Sequence, residues 1–152
     1  MELRVEDRNG EDTGVSGLLG RLEGTEGADV VNLKAPVDPE SRRVLFRGAD
    51  SVLANSGHEP FGLVGLETMA AGGIACTGIS GEDYAVPGRN ALVLQTPEAR
   101  EFVGLFQQLK AAPGLAESMR RAGRATAKHY AWPEIIERLL LPRLDLLRFC
   151  AE

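Results

Sequence analysis

From Ala28 onward, short apolar runs alternate with longer stretches in which apolar residues recur at helical spacing. That is the order of an α/β domain. Asp29 to Leu33 reads as a buried strand, Pro39 to Phe46 as a short helix capped by Asp38, and Ser51 to Asn55 as a second strand. A helix then runs from near Gly62 to Ala71, with Leu63, Leu66 and Ala70 on one face and Gly72-Gly73 as a left-handed stop. Ile74 to Thr77 reads as strand, Gly78 to Gly88 as loop and Ala91 to Leu94 as strand. Pro97 opens a further helix, and two more follow, from Gly114 to about Tyr130 and from Pro133 to about Phe149. In the last, Ile135, Leu139, Pro142 and Leu146 suggest a kinked apolar face. Short strands joined by helical crossovers imply a parallel sheet covered by helices, with ligands taken at the carboxyl ends of the strands. The loops after Asn55, Thr77 and Leu94 are therefore the places to seek a site.

Composition narrows the class. A chain of 152 residues, 43% hydrophobic and 26% charged, is the size of one compact domain. No apolar run approaches the roughly 20 residues of a membrane helix, and the N-terminus lacks the order of a secretion signal, so the expected address is the cytoplasm. Cys76 and Cys150 make no disulfide framework, and with two histidines no cluster has zinc-site spacing. The net charge of −5 argues against a nucleic-acid partner. The charge is local: residues 1–28 hold seven acids, three bases and six glycines, and few large apolar residues. Such a stretch has high chain entropy and little to bury, so it is expected to be weakly ordered, with the domain proper at residues 29–152. Residues 99–152 hold nine bases and six acids, at spacings that suit a solvated helix face.

The densest chemistry lies at Asn55-Ser56-Gly57-His58-Glu59-Pro60-Phe61-Gly62-Leu63-Val64-Gly65-Leu66-Glu67, between a strand and a helix. Backbone N–H groups near Phe61 to Leu63 are the unpaired donors of the helix start, so the site favours an anion such as a phosphate. Gly62 lets the anion approach. Glu67 lies one turn further in, and helical side chains lean toward the N-terminus, so its carboxylate can point back at a ligand lying across that end. A carboxylate suits a vicinal diol such as a ribose, and Glu59 in the loop can accept from hydroxyls on the other side. Two carboxylates would repel a diphosphate, so they serve hydroxyls while the amides hold the charge. Sugar-nucleotide binding fits that division.

This pattern resembles the donor motif of the retaining glycosyltransferases with the GT-B fold. Glu59 and Glu67 have seven residues between them, beginning Pro60-Phe61-Gly62-Leu63, with Glu67-Thr68-Met69-Ala70-Ala71-Gly72 after and Gly81-Glu82 beyond the next strand. The resemblance runs from about Leu45 to Leu140, and Ala131-Trp132 resembles the aromatic position that opens the family's closing helix. It implies one half of a GT-B fold: a Rossmann-like parallel sheet flanked by helices. It further implies that Glu67 accepts from the ribose, that the backbone of Phe61, Gly62 and Leu63 meets the diphosphate and sugar, and that Glu59 lies by the transferred sugar as the catalytic residue. Ser56, His58, Gly81 and Glu82 join the donor-binding set, His58 having packing or capping as its other reading. The family needs no metal or other cofactor, and its leaving diphosphate helps to deprotonate the acceptor, so no enzyme nucleophile is required.

Two features depart from the family. Its arginine–lysine pair for the leaving diphosphate has a partial counterpart in Gly20-Arg21, but Glu26 stands at the lysine position. Its acceptor half is not in this sequence. The expectation is therefore weak donor binding without transfer, unless a second chain or missing N-terminal domain completes the site; oligomeric state is left open. A non-catalytic interaction module on the same fold, acting through its basic last helices or sheet edges, is the alternative. A phosphorylase would need a pyridoxal-bearing lysine, and Lys34, Lys110 and Lys128 lack that context; an epimerase would not carry Glu-Pro-Phe-Gly with the second glutamate.

Overall fold

The computed structural model describes residues 36–149 apart from His58, Pro60, Ile79 and Glu82. The expected strand at Asp29 to Leu33, the segment 1–28 with Arg21 and Glu26, and Cys150 lie outside the described residues. By its internal contacts the chain divides between Ser41 and Arg42, and the architecture below is that of the second unit with the opening turn of the helix that crosses the boundary.

Helix α1 (Pro39–Gly48) starts as the sequence reading has it: Asp38 Oδ1 accepts the N–H groups of Glu40 and Ser41, both at 3.0 Å. Strand β1 (Val52–Ala54) leads to α2 (Leu63–Ala71), which is followed by β2 (Ala75–Thr77) and β3 (Leu92–Val93). The three strands pair in the order β1-β2-β3, all parallel, with Val52 opposite Ala75, Ala54 opposite Thr77 and Cys76 opposite Leu92. Helices α3 (Ala99–Ala111) and α4 (Leu115–His129) come next. The strands are shorter than their apolar runs because the flanking residues bond singly: Val52 N–H donates to Ile74 O at 2.8 Å and Leu94 N–H to Thr77 O at 2.7 Å.

Side chains alternate across a strand, and the core divides accordingly. Ile74, Cys76, Leu92 and Leu94 pack with Leu109 of α3 and Met119 of α4, while Ala75 and Ala91 face Met69 of α2, Tyr84 and Ala127 of α4. Cys76 is thus a small core residue, as expected; burial, with the nearby Glu101 carboxylate, pushes its thiol up to about 11. Helix α2 ends at Gly72, which takes the left-handed conformation (φ 83°) and donates to Met69 O. Gly73 does not share it. Its reason is close approach, since a Cβ there would strike the Phe46 carbonyl at the end of α1.

A helix leaves its last carbonyls unpaired. Arg120 of α4 fills that need at two helix ends, donating to Arg47 O at 3.0 Å, Gly72 O at 2.9 Å and Ala49 O at 3.0 Å. The fork of the guanidinium reaches all three, which a single ammonium cannot do.

The closing segment opens with α5 (Trp132–Ile135), widens into a π turn (Ile136–Leu140) and resumes as α6 (Leu141–Phe149). The kink expected near Pro142 takes this form. Pro142 has no N–H to give to the preceding turn, and Leu141 N–H instead reaches back five residues to Ile136 O. The apolar face, however, is not covered among the described residues: Leu139, Leu140, Leu141, Leu144, Leu146 and Leu147 are all exposed. No described helix is long and apolar enough to cross a membrane.

Removing the Arg120 fork tests the helix-end account. Arg120→Ala should lower unfolding stability by about 2 kcal/mol, the scale of a charge-assisted hydrogen bond to partly buried carbonyls. Arg120→Lys should recover less than half of it in urea titrations, and full recovery by lysine would show that charge alone suffices.

Candidate functional site

The carboxyl ends of β1 and β2 each feed a loop, residues 55–62 and 78–84, and the two loops are fastened to one another. Ser80 Oγ donates to Ala54 O at 3.2 Å, joining the second loop to the end of β1. Asn55 Oδ1 lies where a Cβ on Gly78 would sit, so any side chain there would displace the Asn55 amide. Gly62 takes a left-handed conformation (φ 76°) immediately before α2, a turn that only glycine makes without strain. A Cβ on Gly62 would come within 3.1 Å of Ser80 Cβ and 3.3 Å of the Gly81 nitrogen, so the expected site residues Gly62 and Gly81 are neighbours.

Glu59 and Leu63 are also together. Glu59 Oε1 accepts the Leu63 N–H at 3.3 Å, so its carboxylate satisfies one of the open amides at the start of α2. Glu67, one turn into α2, has its carboxylate 3.6 Å from the Arg42 guanidinium of α1, both side chains being 45% exposed. Solvent screens such a pair, which leaves Glu67 available to other donors. Ser56 is exposed at the mouth of the first loop, and Phe61 is half-buried. His58 and Glu82 lie outside the described residues.

Beneath the loops is an aromatic group that sequence reading did not assign. The Phe61, Tyr84 and Tyr130 rings pack with centroids 5.4 to 6.1 Å apart. Tyr84 is 4% exposed and its hydroxyl donates to Gly62 O, while Tyr130 donates to Asp83 O at 2.8 Å. Asn90, buried, holds the far end of the second loop: its side-chain amide donates to Tyr84 O at 2.8 Å and Thr126 Oγ1 at 2.9 Å, and accepts from Val86 N–H at 2.7 Å. Thr77 Oγ1, at the end of β2, has no hydrogen-bond partner among the described residues. An open cavity of about 460 Å³ lies apart from these loop residues, lined by Arg121, Arg124, Lys128, His129, Glu134 and Arg138. The bases of the last helices thus line a surface concavity.

No family model matches the chain. Several curated relatives do, among them three named D-inositol 3-phosphate glycosyltransferase. The protein from Actinosynnema mirum is 30% identical over 125 residues, which is 81% of this chain and 30% of that protein. That from Segniliparus rotundus is 30% identical over 148 residues, 96% of this chain and 33% of its own length, and that from Pseudarthrobacter chlorophenolicus 33% over 106 residues, 68% and 25%. The chain therefore spans a third or less of the curated relatives it matches. Among solved structures, sucrose-phosphate synthase from Thermosynechococcus elongatus aligns with a TM-score of 0.75 and 24% identity, over 97% of this chain and 37% of that one. The C-terminal domain of a glycosyl transferase group 1 family protein from Francisella tularensis aligns with a TM-score of 0.65 and 19% identity, over 77% and 62%.

The chain is similar over most of its length to a third or less of these glycosyltransferases, and its fold is that of the C-terminal domain of the group 1 glycosyl transferase. As expected, the parallel α/β sheet sets two loops at its carboxyl edge. What sequence reading missed was the support under them: Tyr84, Tyr130, Asn90 and Arg42. One signal was present. Gly65 stands inside a helix where no turn or cap calls for glycine, which marks a close neighbour, and that neighbour is the Tyr84 hydroxyl.

Burial, with a smaller contribution from the Glu59 charge, raises the Tyr84 phenol from 10.0 to about 12. Between those values the folded chain keeps a proton that the unfolded chain has lost, so stability falls as pH rises through this window. In a Tyr130→Phe background, which leaves Tyr84 as the one tyrosine, phenolate absorbance should appear only near pH 12 or on unfolding. Ionisation near pH 10 in the folded protein would show that the hydroxyl is open to water.

Proposed function

We propose that this domain binds the nucleoside diphosphate of a nucleotide-activated sugar, at residues Ser56, His58, Phe61, Gly62, Leu63, Glu67, Gly81 and Glu82. It serves a retaining, metal-independent transfer in which Glu59 is the catalytic residue beside the sugar. The domain proper begins near residue 29, the acceptor half comes from another domain or chain, and the setting is cytoplasmic carbohydrate metabolism.

One observation carries most of this reading: an acidic oxygen already sits on the Leu63 amide at the start of α2, beside the left-handed Gly62. An amide that accepts the Glu59 carboxylate is placed to accept a phosphate oxygen, and the positive end of the helix favours either. When a diphosphate takes that amide, like-charge repulsion moves the Glu59 carboxylate aside, toward the hydroxyls of the attached sugar. Glu67, exposed one turn along, then meets the ribose. Arg42, within ion-pair reach of Glu67, orients that carboxylate.

The reading is tested by calorimetric titration with uridine, guanosine and adenosine diphosphates. At least one should saturate, and Glu67→Ala should weaken it about tenfold, the loss of a charge-assisted pair of hydrogen bonds to ribose. Glu59→Gln should bind the free diphosphate as tightly or more tightly, because the competing charge is gone. Flat titrations with all three, together with no nucleotide-dependent rise in thermal stability, would overturn the donor site and leave the fold as an interaction module.

A further inference from the structure

Three glycines from two segments of the chain converge on one phenol. A Cβ on Gly62 would stand 3.2 Å from the Tyr84 hydroxyl oxygen, one on Gly81 would stand 3.1 Å from it, and one on Gly65 would collide with it outright. The ring cannot retreat, being packed against Phe61 and Tyr130. Nor can its backbone, because Tyr84 N–H donates to Gly81 O at 3.1 Å and Tyr84 O accepts from the buried Asn90 amide. The hydroxyl, so fixed, donates to Gly62 O.

The Gly62 carbonyl and the Leu63 N–H belong to one planar trans peptide, in which the two groups point in opposite directions. Fixing the carbonyl from beneath fixes the direction of the N–H above. The same bond also polarises the peptide: an O–H donated to the carbonyl makes the N–H a stronger donor, by about 10–30%.

We infer that Tyr84 is a positioning residue for anion binding: its hydroxyl, held under the Gly62 carbonyl, aims and strengthens the Leu63 amide that receives the diphosphate. This rests on the donor-site reading above. It adds a reason for glycine at 65 and 81: both are kept free of a side chain so that the phenol can reach the carbonyl. The Phe61 ring then serves to hold Tyr84 as well as to line the loop.

The experiment is a double-substitution cycle read by calorimetry, with whichever nucleoside diphosphate saturates the unaltered chain and with the matching nucleoside, which lacks phosphates. Tyr84→Phe keeps the ring and removes only the donor. It should weaken the diphosphate about fivefold, the net worth of one hydrogen bond, and leave the nucleoside unchanged. A merely structural role would weaken both alike, or neither. Gly65→Ala should weaken the diphosphate more in the parent than in the Tyr84→Phe background, because the oxygen its methyl strikes is absent there. Equal affinities for parent and Tyr84→Phe, or additive effects of the two substitutions, would overturn the inference while the donor site stands. Absence of diphosphate binding by the unaltered chain would overturn both. Where Tyr84→Phe binds too weakly to titrate, hydrogen exchange at the Leu63 amide in the ligand-free chain decides: faster exchange than in the parent supports the inference, and an unchanged rate overturns it.

Discussion

Strand β2 is withdrawn from water on both faces, and its three side chains, Ala75, Cys76 and Thr77, are all small. A central strand of such residues lets helices approach closely on either side. On one side α3 and α4 bring Leu109 and Met119 against Cys76; on the other α2 and α4 close over Ala75 with Met69 and Ala127. Close approach must then be allowed on the helices as well. Gly123 of α4 is that allowance opposite Met69, since a Cβ there would lie 3.2 Å from the Met69 side chain. With so few strand residues, the sheet depends on this packing more than on its ladder.

The same closeness shapes the carboxyl edge. Loops that cross short strands cannot spread apart, so they satisfy their polar groups on each other: Ser80 on Ala54, Tyr84 on Gly62, Tyr130 on Asp83, Asn90 on Tyr84 and Val86. Buried polar groups that are fully paired hold one geometry, and an amide that must meet a ligand benefits from that restraint.

What the sequence made legible was local. Asp38 as a cap, Gly72 as a left-handed stop, the apolar strands β1 and β2 and the spacing of Glu59 and Glu67 all lie within a few residues of what they control. The unforeseen features act across the chain. Arg120 reads as one more base on a solvated helix until its partners at Arg47, Ala49 and Gly72 are known, some 50 to 70 residues away. Asn90 reads as a turn residue, and its hydrogen bond to Thr126 spans 36 positions. At the site, the spacing identified Glu59 and Leu63 but not their mutual hydrogen bond, because a loop's path is set by what lies beneath it, here the Tyr84 ring.

The π turn at Ile136–Leu140 has an effect on everything downstream of it. An α-helix rotates about 100° per residue, so a turn that takes in one residue more than the α repeat displaces the later residues by roughly that angle. The leucines of α6 are consequently turned by about that angle from where an unbroken α-helix would put them. Leu140, Leu141 and Leu144 are exposed to nearly the same degree. A sequence read on one unbroken helical wheel misplaces these leucines by about that angle, and the deletion of a single residue between Ile136 and Leu140 would restore a regular α-helix while leaving α6 facing as it does now.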